Sequence, residues 1–231
     1  MRVLIKFSGE ALKKDDKVFD ADMLNGLALQ VKSMVSENIG VGIVIGGGNI
    51  ARGSEFEKLG FDRVNSDTIG MVATTLNCLA LAQALKNNGM KAVVMSSVKV
   101  EGALEVDVDK ARELINNGSV VLFGGGLGHP YLTTDTTCAL RAIEIKADKI
   151  LMAKNGTKGV YDKDPNQFDD AKMYETITFD EILAKKLKVM DSTAACLLRD
   201  NKVDAFVFDA KGEDSLLKAA KGQMLGTTIK A

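Results

Sequence analysis

The chain of 231 residues has one histidine, no tryptophan, two prolines and three cysteines. With His129 as the only imidazole, no nucleophile triad can be assembled. Cys78, Cys138 and Cys196 stand far apart and form no Cys-x-x-Cys pair. They read as reduced, buried thiols of a cytosolic protein. Net charge is equally scarce: 30 Lys and Arg against 31 Asp and Glu leave no bulk field for nucleic acid or anionic lipid. Any anion site must therefore be built locally. The motif Gly-x-x-x-x-Gly-Lys-Ser/Thr is missing, which excludes a Walker-type loop. No linker, repeat or low-complexity segment divides residues 1–231, so one domain is expected. Met1 to Phe7 reads as a strand and not as a leader. Thr68 to Leu85 carries no charge over a length near the lower limit for a membrane span. Its Thr, Asn, Gln and small residues favour a helix buried in the fold or in a subunit interface over a span.

What the chain does have is glycine in two places. Val41 to Ile45 is an apolar strand that runs into Gly46, Gly47 and Gly48, with Arg52 shortly after. Ser119 to Phe123 runs likewise into Gly124, Gly125, Gly126 and Gly128. Glycine lets the backbone approach a phosphate and aim successive N–H groups at it, while arginine adds a planar fork of donors. Two such loops imply two phosphate-bearing ligands and a transfer between them. The first loop also fits the loose dinucleotide pattern Gly-x-Gly-x-x-Ala with Asp67 as the acid. That reading requires the acid at the end of the next strand, whereas Asp67 reads as opening a helix behind a Ser66 cap.

Strand-length apolar runs alternate with helical patterns, the signature of βαβ units and a mostly parallel sheet between helix layers. Strands are expected near Val3 to Phe7, Val41 to Ile45, Ala92 to Met95, Val120 to Phe123, Ile150 to Ala153 and Ala205 to Phe208. A helix capped by Asp20 runs through Leu24, Leu27, Ala28, Val31, Met34 and Val35 until Gly40, and others cover about 66–85, 108–117, 135–147 and 193–201. In such a sheet the loops 8–16, 46–66, 124–134 and 154–170 share the carboxyl edge, where ligands bind.

Five motifs then occur in register: Lys6-Phe7-Ser8-Gly9-Glu10, the triple glycine, the run from Gly128-His129-Pro130-Tyr131 to Asp135, Gly159-Val160-Tyr161-Asp162-Lys163-Asp164-Pro165, and Lys188-Val189-Met190-Asp191. Together they resemble the amino-acid kinase superfamily, and within it the bacterial uridylate kinases, from Lys6 to about Ile229. The resemblance implies a three-layer α/β fold with a central, mostly parallel sheet of the eight-stranded type. It implies phosphoryl transfer from ATP to UMP, with Mg2+ carried on the ATP phosphates and no metal site of the protein's own. Lys6, Phe7, Ser8, Gly9, Gly48 and Arg52 would lie along the ATP phosphates, and Asn155, Tyr161 and Asp164 would hold its adenosine. Gly47, Asp67 and the run Leu127, Gly128, His129, Pro130, Tyr131, Leu132, Thr133, Thr134 would take UMP. Lys6 and Arg52 would neutralise the transferring oxygens, with Asp135 and Asp191 orienting Lys6 and neighbouring donors. Lys154 reads equally as a second cation at the phosphate or as a solvated lysine.

The resemblance further implies a cytoplasmic homohexamer inhibited by UTP. The chain also departs from its relatives. Leu127 and His129 stand where they commonly carry Thr and Asn, and Lys158 replaces a usual Asp. The segment Lys13 to Asp20 lacks the glycines associated with activation by GTP, so weak or absent activation is expected. Other readings are a superfamily kinase acting on a carboxylate or carbamate, and a non-catalytic nucleotide sensor.

Overall fold

The computed structural model describes residues 1–231, the side chain of Ser54 excepted. Its strands are β1 (Arg2–Phe7), β2 (Gly40–Ile45), β3 (Ala92–Ser96), β4 (Leu104–Glu105), β5 (Val120–Gly124), β6 (Lys149–Lys154), β7 (Thr176–Thr178), β8 (Asp204–Asp209) and β9 (Thr227–Lys230). The helices are α1 (Ala21–Ser36), α2 (Gly53–Lys58), α3 (Arg63–Asn87), α4 (Val108–Asn116), α5 (Thr134–Glu144), α6 (Phe179–Ala184), α7 (Ser192–Asp200) and α8 (Ser215–Ala220). The sheet order is β4-β3-β5-β2-β1-β6-β8-β9-β7, nine strands and not eight. Among the described strands of this sheet, only the β8–β9 pairing is antiparallel.

Alternation along β1 builds the two cores. Val3, Ile5 and Phe7 point into a cluster with Leu27, Val31 and Met34 of α1, Leu81 and Leu85 of α3, and Leu216 of α8. Leu4 points the other way, into a cluster with Ala111 of α4, Ala139 of α5, Ile182 of α6 and Leu198 of α7. Both faces of the central strands are covered, which is why they read as unbroken apolar runs. Each large aliphatic side chain so buried stabilises the fold by roughly 1.5–3 kcal/mol, so a charge at Val31 would break α1 from the sheet.

Helix starts follow side-chain chemistry. Asp20 caps α1 by accepting from the N–H groups of Asp22 and Met23. Ser66 is not a cap. Asp62 caps α3 through the Asn65 N–H, and Ser66 lies a turn inside, donating to the Asp62 carbonyl. Asp67 therefore sits in the second turn of α3 and does not open the helix. Helix α3 is long and apolar enough to cross a membrane by length and composition, and half of its most apolar window is buried inside the fold. Val64, Val72 and Leu76 remain exposed in a row along it. All three cysteines are free thiols. Burial pushes the Cys78 thiol up to about 12 and the Cys138 thiol higher still, whereas Cys196 on α7 is only partly buried, against expectation.

Candidate active site

Pairing register sets the height at which the chain leaves the sheet. Phe7 lies level with Ile45 on one side and Ala153 on the other, and Val44 pairs with Phe123. The four strand ends therefore open their loops side by side, as expected for loops 8–16, 46–66, 124–134 and 154–170. The sheet also divides at β1. Strands β2 to β5 lie on one side and β6 to β9 on the other, a switch point of the kind that leaves a crevice at the carboxyl edge.

Lys6 stands at that crevice. It shares the face of Leu4 and meets α5, where its Nζ lies 2.5 Å from Asp135 Oδ1. That oxygen accepts no hydrogen bond of good direction, so the contact is ionic rather than a directed bond. Across the crevice Lys154 ends β6, its Nζ 3.4 Å from the Val189 carbonyl. Burial lowers its pKa, and the charge of Lys6 lowers it further while Asp135 opposes. Such a desolvated ammonium facing another fits a cleft cation better than a solvated surface lysine.

The first glycine loop is gripped from α3. Asn77, fully buried, donates to the Gly46 carbonyl at 2.7 Å and exchanges amide hydrogen bonds with Asn49. A Cβ on Gly47 would lie 3.0 Å from the Gly70 carbonyl oxygen of α3, whereas one on Gly48 would meet nothing within 4 Å. Arg52 folds back over this loop, Nε donating to the Gly48 carbonyl at 3.1 Å, and pairs with Glu10. Burial works against the charge of Glu10, but Lys13 and Arg52 beside it hold its carboxyl below the usual range. Ser8 caps the short 3-10 helix Gly9–Leu12. Gly9 is forced by closeness: a Cβ there would lie 2.6 Å from the Gly46 carbonyl oxygen. Phe7 is placed differently from expectation. Its side chain is fully buried in the core, and only its carbonyl serves the site, accepting from the Gly46 N–H.

The second glycine loop is held by Thr74 of α3, whose hydroxyl accepts from the Gly125 N–H, and by Ser97, which donates to the Gly126 carbonyl. Asp67 reaches this loop as well. Its Oδ2 accepts from the Tyr131 N–H at 2.7 Å and from Arg63 Nε at 2.8 Å, which fixes a Tyr131 backbone in the left-handed region at φ 67°. His129 and Leu132 lie exposed on the rim, and Pro130 between them is partly buried.

Thr133 and Thr134 divide their work. Thr133 caps α5, accepting from the Asp135 and Thr136 N–H groups and donating to Asp191, so its hydroxyl is spent inside the protein. The Thr134 hydroxyl makes no such bond and lies near Gly46. Asp191 caps α7 and accepts from Thr133 and Thr136, tying two helix starts together. Of the two aspartates expected to orient Lys6 and neighbouring donors, Asp135 pairs with Lys6, whereas Asp191 meets the Thr133 and Thr136 hydroxyls and forms no ion pair with Lys6. Burial opposes the charge of Asp191, yet hydrogen bonds from Thr133, the Ala194 N–H and Thr136 hold its carboxyl below the usual range.

On the other side of β1, a cavity of about 310 Å³ is lined by Lys6, Ser8, Glu10, Lys154, Asn155 and Thr157. It adjoins one of about 540 Å³ around Tyr161, Asp164, Lys186, Lys188 and Val189, and Lys154 and Thr157 line both. Asp164 spends part of its acceptor capacity on its own turn, taking hydrogen bonds from Asn166 and Gln167. Two further cavities, of about 410 and 380 Å³, lie elsewhere on the sheet and hold none of the candidate residues. Sequence reasoning missed Glu10, Asn77, Thr74 and Ser97. For Asn77 and Thr74 a signal existed, since polar residues on an otherwise apolar helix need partners.

Comparison with known proteins agrees in extent. Residues 1–209 match the Amino acid kinase family. The chain is 45% identical over 229 residues to the uridylate kinase of Mycoplasma capricolum, covering 98% of this chain and 97% of that one. Among solved structures, a UMP kinase from Ureaplasma parvum superposes with a TM-score of 0.95 at 38% identity, covering 100% of this chain and 98% of the other. A UMP kinase from Bacillus anthracis gives 0.96 at 38% identity, covering 99% and 95%.

Proposed function

The chain belongs to the amino acid kinase family, and from that premise we infer that it is a uridylate kinase, passing the terminal phosphoryl group of ATP to UMP to give ADP and UDP. The observation that carries this reading is the placement of Lys6 on the central strand, with two glycine loops on one side and the paired cavities on the other, in a chain matched end to end by uridylate kinases.

An oxygen of the UMP phosphate bonds to the γ-phosphorus as the bond from that phosphorus to the β,γ-bridging oxygen breaks. With a second pKa near 6, such a phosphate is largely dianionic at neutral pH and needs no general base. The work left to the protein is alignment and neutralisation. Lys6, held by Asp135, and Arg52 meet the transferring oxygens, and the Thr134 hydroxyl, not that of Thr133, is free to help. Ser8, Gly9 and Gly48 line the ATP phosphates, and Asn155, Tyr161 and Asp164 flank the adenosine. Gly47, Asp67 and residues 127–134 take UMP. Magnesium enters as part of the MgATP substrate and neutralises charge on its phosphates. The nearest carboxylates are already paired, Asp135 with Lys6 and Glu10 with Arg52 and Lys13.

The reading extends to a single-domain, cytoplasmic homohexamer serving pyrimidine nucleotide synthesis, inhibited by UTP through the uridine contacts of UMP. The exposed row Val64, Val72 and Leu76 on α3 supports an interface along that helix. A coupled ADP-release assay with UMP, CMP, AMP, carbamate and acetylglutamate tests the activity. Turnover with UMP alone is expected. Turnover with carbamate or acetylglutamate, or with no acceptor, would refute it.

A further inference from the structure

Among the described residues only two charged side chains are buried: Asp20, which caps α1, and Arg141 on α5. The Arg141 guanidinium lies 5.7 Å from the centre of the Phe123 ring, pairs with Glu144, and donates to Ser97 Oγ at 2.9 Å. Its Nε is buried without a partner. Burying a guanidinium with an unmet donor costs stability, and an apolar side chain would close this face of α5 at no such cost. The arginine therefore serves something other than the core.

What it touches leads to the second glycine loop. Gly125, Gly126 and Gly128 all adopt left-handed φ, at 73°, 55° and 77°. A stretch with so few side chains keeps its shape only through hydrogen bonds. Arginine has no acceptor, so a hydroxyl facing it must accept and send its own proton elsewhere. The Ser97 proton goes to the Gly126 carbonyl, 2.8 Å away. There is no cis peptide bond among the described residues, and in a trans peptide the N–H lies opposite the carbonyl. Pinning the Gly126 oxygen toward Ser97 thus turns the Leu127 N–H to the other side, where no residue accepts from it.

We propose that Arg141 and Ser97 are positioning residues for the acceptor nucleotide: the buried guanidinium fixes the Ser97 hydroxyl, the hydroxyl fixes the Gly126 carbonyl, and the Leu127 N–H is thereby aimed at an oxygen of UMP. The proposal rests on the reading of residues 127–134 as the acceptor loop. It explains how the loop keeps a donor at a position that lacks the hydroxyl its relatives commonly carry.

The test uses Ser97→Ala, Arg141→Lys and the double variant, with thermal melting, UMP and ATP titrations, and steady-state kinetics on each. Ser97→Ala is expected to weaken UMP by about 3- to 10-fold, the worth of one hydrogen bond, and to leave the KM for ATP near wild type, with the melting temperature a few degrees lower because Arg141 loses this acceptor. Arg141→Lys should act in the same direction on UMP. The double variant should be no weaker for UMP than the weaker single, because both changes cut one relay. A folded Ser97→Ala protein with unchanged UMP affinity overturns the proposal and leaves the loop assignment standing. A selective loss of ATP affinity in that variant overturns the loop assignment itself. Equal losses on both nucleotides would mark a purely structural role and also overturn the proposal.

Discussion

Two neighbouring glycines should respond to the same substitution with opposite signs. A methyl group on Gly47 would sit 3.0 Å from both the Gly70 carbonyl oxygen and Ala73 Cβ, and 3.4 Å from the Thr74 nitrogen. All three atoms belong to the body of α3 and cannot swing aside. Overpacking of this kind costs about 1–3 kcal/mol. At roughly 2–4 °C per kcal/mol for a chain of this size, Gly47→Ala should melt about 2–12 °C lower.

Gly48→Ala meets nothing within 4 Å, and Gly48 is not among the residues in left-handed conformation. Alanine there removes freedom mainly from the unfolded chain, a gain of about 0.4–1 kcal/mol, so the melting temperature should hold or rise by about 1–4 °C. The fold thus gives no reason for glycine at position 48, which leaves close approach of the ATP phosphates as the reason. A methyl in that path, valued like other overpacking at about 1–3 kcal/mol, raises the KM for ATP by about 5- to 150-fold. Scanning calorimetry of the free protein and ATP titration in the coupled assay decide both halves. A Gly48→Ala protein with wild-type KM for ATP would refute the placement of phosphate there, and one that melts well below wild type would refute the account of the loop.

Lys6→Ala and Arg52→Ala should each lower kcat by about 10²-fold or more with the fold retained, and near wild-type turnover in either folded variant would remove that residue from the transfer step. Asp67→Asn should raise the KM for UMP and spare that for ATP, while Asp164→Asn should do the reverse; equal losses on both would mean that the two halves of the crevice are assigned wrongly. Asp191 titrates below the usual aspartate range when folded, so its contribution to stability is present above about pH 4 and is lost as pH falls through the lower folded value. Asp191→Ala should therefore melt lower at neutral pH by the equivalent of about 1–2 kcal/mol, and the gap should narrow as pH falls below about 4; a gap that does not narrow in acid would place its role in packing and not in charge. Initial rates with GTP at subsaturating ATP should show little activation, and several-fold activation would make the missing glycines between Lys13 and Asp20 irrelevant.

The long strands are legible in the sequence because burial on both faces makes them apolar throughout, as in Val3 to Ile5 and Val120 to Phe123. Strands β4, β7 and β9 are not, since two to four residues are too few to show a period. The start of α3 is misread because Ser66 and Asp67 look like a capping pair, whereas Asp62, four residues earlier, takes that place. The candidate site residues stand out in the sequence where a rare local pattern occurs: a lysine ending an apolar strand, glycines ending others, an arginine behind them. What tertiary approach creates is not legible. Nothing near Glu10 announces Arg52, nothing near Ser97 announces Arg141, and only the finished fold shows that the Thr133 hydroxyl is taken up by Asp191.

The position of β1 has a consequence for how the chain reaches this structure. The strand precedes every other strand of the sheet yet lies in its middle, and its partner β6 begins only at Lys149. Until the residues of β6 have followed from the ribosome, β1 can pair with β2 but keeps its other side open, an unpaired edge of Val3, Leu4 and Ile5. Such edges recruit other chains unless charge interrupts them. Arg2 and Lys6 bracket the apolar run, so the lysine that later pairs with Asp135 first guards a nascent half-sheet from its neighbours.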